Sequence, residues 1–266
     1  MSQSCLNCGH SIRVGVDFFC PRCGTRVLVS GDSLTVPTAA AGVLYREAVA
    51  VGAGPALSLL DEDGDVAQEF VLDKGHATFG RTDGDIRFRD DLFMSPVHAQ
   101  IVLRDGDLLV RDLGSRNGTW VFIDAPYRLN DGDTILIGSQ LIRFRRLGYP
   151  APHPPEADQT RRLGSSTPSA DVAVVAQLRA DGSTRDTLAL SPGRNVKIGR
   201  DTGDWVFPYD KTMSGKHAEI RSEDLQFIVL DDGSRNGVAV SVRGEMPVKI
   251  GQKILMGDQT LRVKSL

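Results

Sequence analysis

Gly80-Arg81, Ser95-Pro96-Val97-His98 and Gly114-Ser115-Arg116-Asn117-Gly118 recur as Gly199-Arg200, Ser214-Gly215-Lys216-His217 and Gly233-Ser234-Arg235-Asn236-Gly237, 119 positions later throughout. Asp112 with Asp231, Gly132 with Gly251 and Gly138 with Gly257 keep the same offset, so no net insertion separates the copies there. The opening hairpins match at an offset of 118 instead, a one-residue difference that a loop near Gly75 can absorb. Self-similarity over a block of roughly a hundred residues indicates two copies of one domain, each long enough to bury a core.

Working outward, both copies read as short strands separated by turns. In the first, Leu57 to Leu60, Gln68 to Leu72, His76 to Phe79, His98 to Leu103, Leu108 to Val110, Trp120 to Ile123, Thr134 to Ile137 and Leu141 to Phe144 are strand-like, with Asp63-Gly64, Asp105-Gly106, Asn117-Gly118 and Asp131-Gly132 between them. Val172 to Leu178, Thr187 to Leu190, Asn195 to Ile198, His217 to Ile220, Gln226 to Leu230, Val238 to Val242 and Thr260 to Val263 retrace them. Many short strands and no long 3.6-residue period predict a mainly β chain of two sandwiches, residues 55–147 and 172–266. Residues 148–171, rich in proline, and 31–54, rich in small residues, read as linkers, with Val43 to Glu47 hinting at a short helix.

The composition is globular: 41% hydrophobic and 24% charged residues over 266 positions. A net charge of −3 supplies no global attraction for nucleic acid or an anionic membrane. No apolar run reaches the roughly 18 residues of a membrane span, and Met1-Ser2-Gln3-Ser4-Cys5 lacks a signal-peptide layout, so a cytoplasmic protein is expected.

All four cysteines, Cys5, Cys8, Cys20 and Cys23, fall within residues 1–30 as two Cys-x-x-Cys pairs, each followed by glycine. Disulfides that stabilise a secreted protein would be spread through its domains, whereas this crowding suits four thiolates around one metal ion. The arm resembles a zinc ribbon, which implies one structural zinc ion whose binding drives folding of a segment too short to fold alone. A redox pair is the other reading of Cys-x-x-Cys. Arg13, Arg22 and Arg26 against Asp17 give the arm a slight positive balance, so an alternative function is nucleic-acid binding by the ribbon, with the sandwiches recruiting it.

The ordered glycine-arginine, Ser-x-x-His and Asn-Gly signatures, present twice, resemble the forkhead-associated (FHA) family, whose β-sandwich binds phosphothreonine peptides through loops at one end. Such a ligand carries about −1.5 to −2 charge and three acceptor oxygens, so its site needs a guanidinium, a hydroxyl and free amides on rigid loops. By resemblance, Arg81 and Arg200 take the phosphate after the turn-forming Gly80 and Gly199, and Ser95 and Ser214 add their hydroxyls. His98 and His217 brace the loops, Asn117 and Asn236 bond the peptide backbone, and Arg116 and Arg235 add charge. Asn117-Gly118 and Asn236-Gly237 also suit hairpin turns.

No acid–base–nucleophile set accompanies Ser-x-x-His, so no catalysis is expected. The position after the loop serine, often Arg or Asn in the family, is Pro96 in one copy and Gly215 in the other. Lys216 replaces Val97, making the second loop locally more basic. The expected function is a non-catalytic adaptor in Ser/Thr kinase signalling, binding phosphothreonine-containing kinases or their substrates. An alternative is self-regulation, in which phosphorylated Thr35, Thr38, Thr160 or Thr167 occupies one of the chain's own sites.

Overall fold

The structure is a computed structural model that describes residues 2–4, 11–13, 54–147, 155–161, 171–224 and 226–266. The chain divides into two units, Met1–Ala50 and Val51–Leu266. In the first, β1 (Ser2–Ser4) and β2 (Ser11–Arg13) pair antiparallel, Ser4 opposite Ser11. The four cysteines, the 31–54 linker apart from Gly54, and the helix hinted at over 43–47 lie outside the described residues.

The second unit is built wholly from strands and turns among the described residues. The first repeat supplies β3 (Ala56–Leu60), β4 (Val66–Val71), β5 (His76–Gly80), β6 (Ile86–Arg87), β7 (Ala99–Arg104), β8 (Asp107–Asp112), β9 (Thr119–Phe122), β10 (Tyr127–Arg128), β11 (Thr134–Ile137) and β12 (Gln140–Arg146). The second supplies β13 (Ala173–Leu178), β14 (Thr184–Leu190), β15 (Val196–Gly199), β16 (Trp205–Val206), β17 (Ala218–Glu223), β18 (Gln226–Asp231), β19 (Val238–Ser241), β20 (Glu245–Val248), β21 (Lys253–Met256) and β22 (Gln259–Ser265). Mainly β structure agrees with the sequence reading.

The repeats do not pack as the sequence divides them. Two five-stranded sheets, β20-β8-β7-β5-β6 and β10-β18-β17-β15-β16, each take one strand from the other repeat. The remaining strands form one ten-stranded sheet, β14-β13-β12-β11-β19-β9-β21-β22-β3-β4. The closing hairpin of each repeat is therefore exchanged. In the first repeat, β11 pairs with β19 and β12 with β13, whereas in the second, β21 pairs with β9 and β22 with β3.

The hydrophobic cores follow the exchange. One gathers Leu57, Phe79, Ile101, Leu108 and Val121 with Val248, Ile254, Met256, Leu261 and Val263. The other gathers Leu129, Ile135, Ile137, Ile142 and Phe144 with Val175, Ile198, Ile220, Phe227 and Val238. Those five first-repeat side chains are fully buried in the second-repeat core. At about 2 kcal/mol each they contribute on the order of 10 kcal/mol of transfer free energy, so the exchange is central to stability. The described residues of 123–241 thus form a globule inserted into one made of 54–122 and 242–266.

The crossing is made where β9 and β19 run antiparallel, Val121 opposite Val240, and knit the halves into one sheet. Within the second of these cores Phe144 of the first repeat packs on Phe227 of the second, ring centroids 5.8 Å apart. The strands on either side of the proline-rich connection, β12 and β13, are hydrogen-bonded neighbours.

Candidate functional site

In the first globule β8, β7 and β5 are consecutive neighbours, and the loops after β5, before β7 and after β8 meet at one end. Arg81 N–H donates to Ser95 O at 2.9 Å, and Thr82 and Asp83 N–H donate to Pro96 O, stitching the arginine loop to the serine loop. This approach explains the glycine before the arginine. A Cβ on Gly80 would lie 2.2 Å from Pro96 O and 2.3 Å from Asp83 O, and one on Gly199 2.2 Å from Gly215 O.

The serine loop is joined to the asparagine loop from both sides. Arg116 N–H donates to Ser95 Oγ at 2.9 Å, and Asn117 Nδ2 donates to Phe93 O at 2.7 Å. Fully buried His98 accepts Ser95 N–H at Nδ1, so the Nε2 facing Gly118 O at 3.0 Å carries the ring proton. Ser214 N–H to His217 Nδ1 at 3.0 Å, His217 Nε2 to Gly237 O at 3.0 Å, Arg235 N–H to Ser214 Oγ and Asn236 Nδ2 to Thr212 O repeat the arrangement. The structure therefore brings Arg81, Ser95, Arg116 and Asn117 together in one constellation, and Arg200, Ser214, Arg235 and Asn236 in another. A cleft of about 550 Å³ at the crossover, lined in part by Ile123, Tyr127, Val240 and Arg243, contains none of them.

The two constellations differ electrostatically. Arg81 Nε is buried and has no hydrogen-bond partner among the described residues. A buried donor left unpaired costs about 1–3 kcal/mol. Arg200 is instead held by Asp201 in a two-pronged pair, Nε to Oδ1 and Nη2 to Oδ2, both 3.1 Å. Thr82 stands where Asp201 does, so the second loop gains less positive potential than Lys216 suggests.

The rims differ as well. Leu92 and Phe93, 72% and 62% exposed, together with Val97 and Leu113, surround the first constellation. Lys211, Thr212, Lys216 and Asp232 occupy the same places in the second.

Two pairs of acids were not assigned roles by the sequence reading. Asp112 accepts from Gly114 and Ser115 N–H, Ser115 Oγ and Thr119 Oγ1, pinning the asparagine loop. Burial pushes its carboxyl up, but hydrogen bonds from Ser115, Thr119 and Gly114 outweigh burial and hold it below the usual value. Asp231 accepts from Ser234 N–H and Oγ, with Val238 in place of Thr119. Asp91 and Asp210 sit at the root of the serine loops. For Asp210, too, burial is overcome by hydrogen bonds, from Gln140, Thr212 and Ser139, which hold it far below the ordinary 3.8. Their common 119-residue offset was the available signal.

Because the folded values of Asp112 and Asp210 are depressed, their stabilisation is present above the ordinary 3.8 and is lost as pH falls toward the folded values. Asp210→Asn should therefore shrink the fall in melting temperature between about pH 5 and about pH 2.5, measured by scanning calorimetry.

Thr160 is exposed in a tight turn, its N–H on Asp158 Oδ1 at 2.9 Å, whereas Thr35, Thr38 and Thr167 lie outside the described residues. Among the described residues no helix is long and apolar enough to cross a membrane.

A family model for the FHA domain matches residues 77–138 and 196–257, each match running across a crossover. An oxoglutarate dehydrogenase inhibitor of Corynebacterium diphtheriae is 33% identical over 117 residues, 43% of this chain and 71% of that protein. A protein with the same description from Corynebacterium efficiens is 35% identical over 94 residues, 35% of this chain and 66% of the relative. The glycogen accumulation regulator GarA of Mycolicibacterium smegmatis is 37% identical over 95 residues, 34% of this chain and 59% of that protein. The match thus spans slightly under two thirds of the Corynebacterium efficiens relative and a smaller share of GarA.

Proposed function

The chain belongs to the FHA family and carries the domain twice, and from that premise we propose that it is a non-catalytic adaptor gripping phosphothreonine segments at two sites in Ser/Thr kinase signalling. The observation that carries this reading is the convergence, in both repeats, of the arginine, serine and asparagine loops, with Arg81 N–H on Ser95 O, Arg116 N–H on Ser95 Oγ and Arg235 N–H on Ser214 Oγ. A phosphate there accepts from the guanidinium and the Ser95 hydroxyl, while Asn117, its Nδ2 engaged by Phe93 O, offers Oδ1 to a peptide N–H. The relatives' descriptions, an inhibitor and a regulator, support regulation through binding. Calorimetric titration with degenerate phosphothreonine and matched threonine peptide pools tests it. Binding should require the phosphate.

The two sites are read as unequal. The first is poised for an anion and favours apolar residues beside the phosphothreonine, through Leu92 and Phe93. The second must loosen the Arg200–Asp201 pair on binding and favours acidic neighbours, through Lys211 and Lys216. Asp201→Thr, restoring the first site's residue, should tighten phosphopeptide binding at the second site about tenfold, the scale of one charge-assisted bond. Unchanged affinity in titrations made on an Arg81→Ala background would refute this.

The same reading assigns one structural zinc ion to Cys5, Cys8, Cys20 and Cys23. Its support is the pairing of β1 with β2, which draws together the residues on either side of the first Cys-x-x-Cys, and the four-thiolate donor set. The ion would fold the arm without chemistry of its own. The full chain should carry one zinc per molecule by plasma mass spectrometry, lost on replacing Cys20 and Cys23 by serine, with phosphopeptide affinity unchanged.

A further inference from the structure

Asp91 is almost fully buried and uses its two carboxylate oxygens for different tasks. Oδ1 accepts from Phe93 N–H at 2.8 Å and Met94 N–H at 3.1 Å, which shapes the turn leading into Ser95 and sets the Phe93 carbonyl that holds Asn117. Oδ2 accepts from Asp258 N–H at 2.8 Å and Gln259 Nε2 at 3.1 Å, both in the hairpin turn of the other repeat. Asp210 does the same in reverse. Oδ1 accepts from Thr212 N–H and Oγ1, and Oδ2 from Ser139 N–H and Oγ, both 2.8 Å, and Gln140 Nε2 at 2.7 Å. The turn glycines fit closely under these loops. A Cβ on Gly257 would lie 2.6 Å from Asp91 Oδ2 and 2.8 Å from Met94 N, and one on Gly138 2.9 Å from Asp210 Oδ2, with φ +60° at both.

We propose that each ligand loop is positioned by the hairpin turn of the opposite repeat: Gly257–Gln259 sets Ser95 and Asn117, and Gly138–Gln140 sets Ser214 and Asn236. The functional part of this inference rests on the phosphothreonine reading, whereas the positional part rests on the hydrogen bonds alone. The two braces are not equivalent. Ser139 gives Asp210 both an N–H and a hydroxyl, but Asp258 gives Asp91 only its N–H and sets a second carboxylate beside it. Burial, then the charges of Asp91 and Glu62, raises the Asp258 carboxyl above its usual value, in keeping with that crowding. The first site combines the unpaired arginine with the weaker brace, and the second a masked arginine with the stronger one.

The test uses the full chain. Without ligand, Gly257→Ala should shift the NMR resonances of the Arg116 amide and the Asn117 side-chain amide and spare those of Arg235 and Asn236, and Gly138→Ala should do the reverse. With a degenerate phosphothreonine peptide pool, Gly257→Ala on an Arg200→Ala background should weaken the first site about tenfold, while on an Arg81→Ala background it leaves the second unchanged. Asp258→Ser, which supplies the hydroxyl that Ser139 has, should tighten the first site about threefold, a gain that general loosening of the fold cannot produce. Shifts confined to the substituted residue's own repeat, or weakening of that repeat's site, overturn the inference. Resonance shifts in the opposite repeat with no phosphopeptide bound at either site uphold the positioning and overturn the phosphothreonine reading.

Discussion

Arg81→Ala should weaken phosphothreonine-peptide binding at the first site about 100-fold, and adding Arg200→Ala should take binding below calorimetric detection. A guanidinium meeting a dianionic phosphate through two charge-assisted bonds at about 1.5 kcal/mol each accounts for a loss of this size. Arg200→Ala alone should cost less, about tenfold, because that guanidinium spends part of its bonding on Asp201 in the free protein. Stability should respond in the opposite sense. Arg81 Nε is unpaired and buried, so removing it relieves a desolvation penalty, and the first globule should melt no lower in Arg81→Ala than in the parent chain. Undiminished affinity in the double variant would sink the assignment, and a coupled loss of melting temperature would reduce Arg81 to a packing residue.

Much of this site was legible because its parts are local motifs at fixed offsets. The signature pairs recur 119 residues apart, and each motif borders a strand that the short apolar runs between turns had marked. Less visible were elements that leave little pattern. β6 and β16 are two residues long, and β20 contains Pro247, a residue that fits only because β20 is an edge strand. Asp201 escaped because its effect lies in pairing geometry, which composition around Lys216 did not disclose. Asp91 escaped because a lone acid before a turn reads as an ordinary cap until its second oxygen is seen on a distant hairpin.

The exchange itself could not be read from the repeat. Ile135 and Ile254, Ile137 and Met256, and Ile142 and Leu261 are equivalent pairs, all fully buried, so either hairpin satisfies either core by volume and polarity. The passages after β9 and β19 carry each repeat across to the neighbouring globule where those strands pair. Duplication supplied two interchangeable hairpins, and the crossing turns that interchangeability into dependence: neither repeat holds a complete core. An isolated fragment 55–147 would lack Ile254, Met256 and Leu261 and would have to fold its own hairpin back.

Gly80→Ala should destabilise the first globule by about 3 kcal/mol and abolish phosphopeptide binding there, whereas Gly114→Ala should cost about 1 kcal/mol and leave binding nearly intact. The contrast follows from what each added methyl meets. At Gly80 both neighbours within 2.3 Å are backbone carbonyl oxygens, Pro96 O and Asp83 O, so no side chain can swing away and the arginine and serine loops must part. That separation breaks the Arg81 N–H to Ser95 O bond and removes the register in which guanidinium and hydroxyl converge. Gly114, with φ +80°, has nothing within 4 Å of a new Cβ, so only the cost of a left-handed backbone is incurred. Chemical denaturation followed by Trp120 fluorescence on a Trp205→Phe background, with titration at the same temperature, separates the two effects. Equal losses in the two variants would mean that the close loop approach carries no special weight, and retained binding in Gly80→Ala would show that the phosphate site does not depend on that contact.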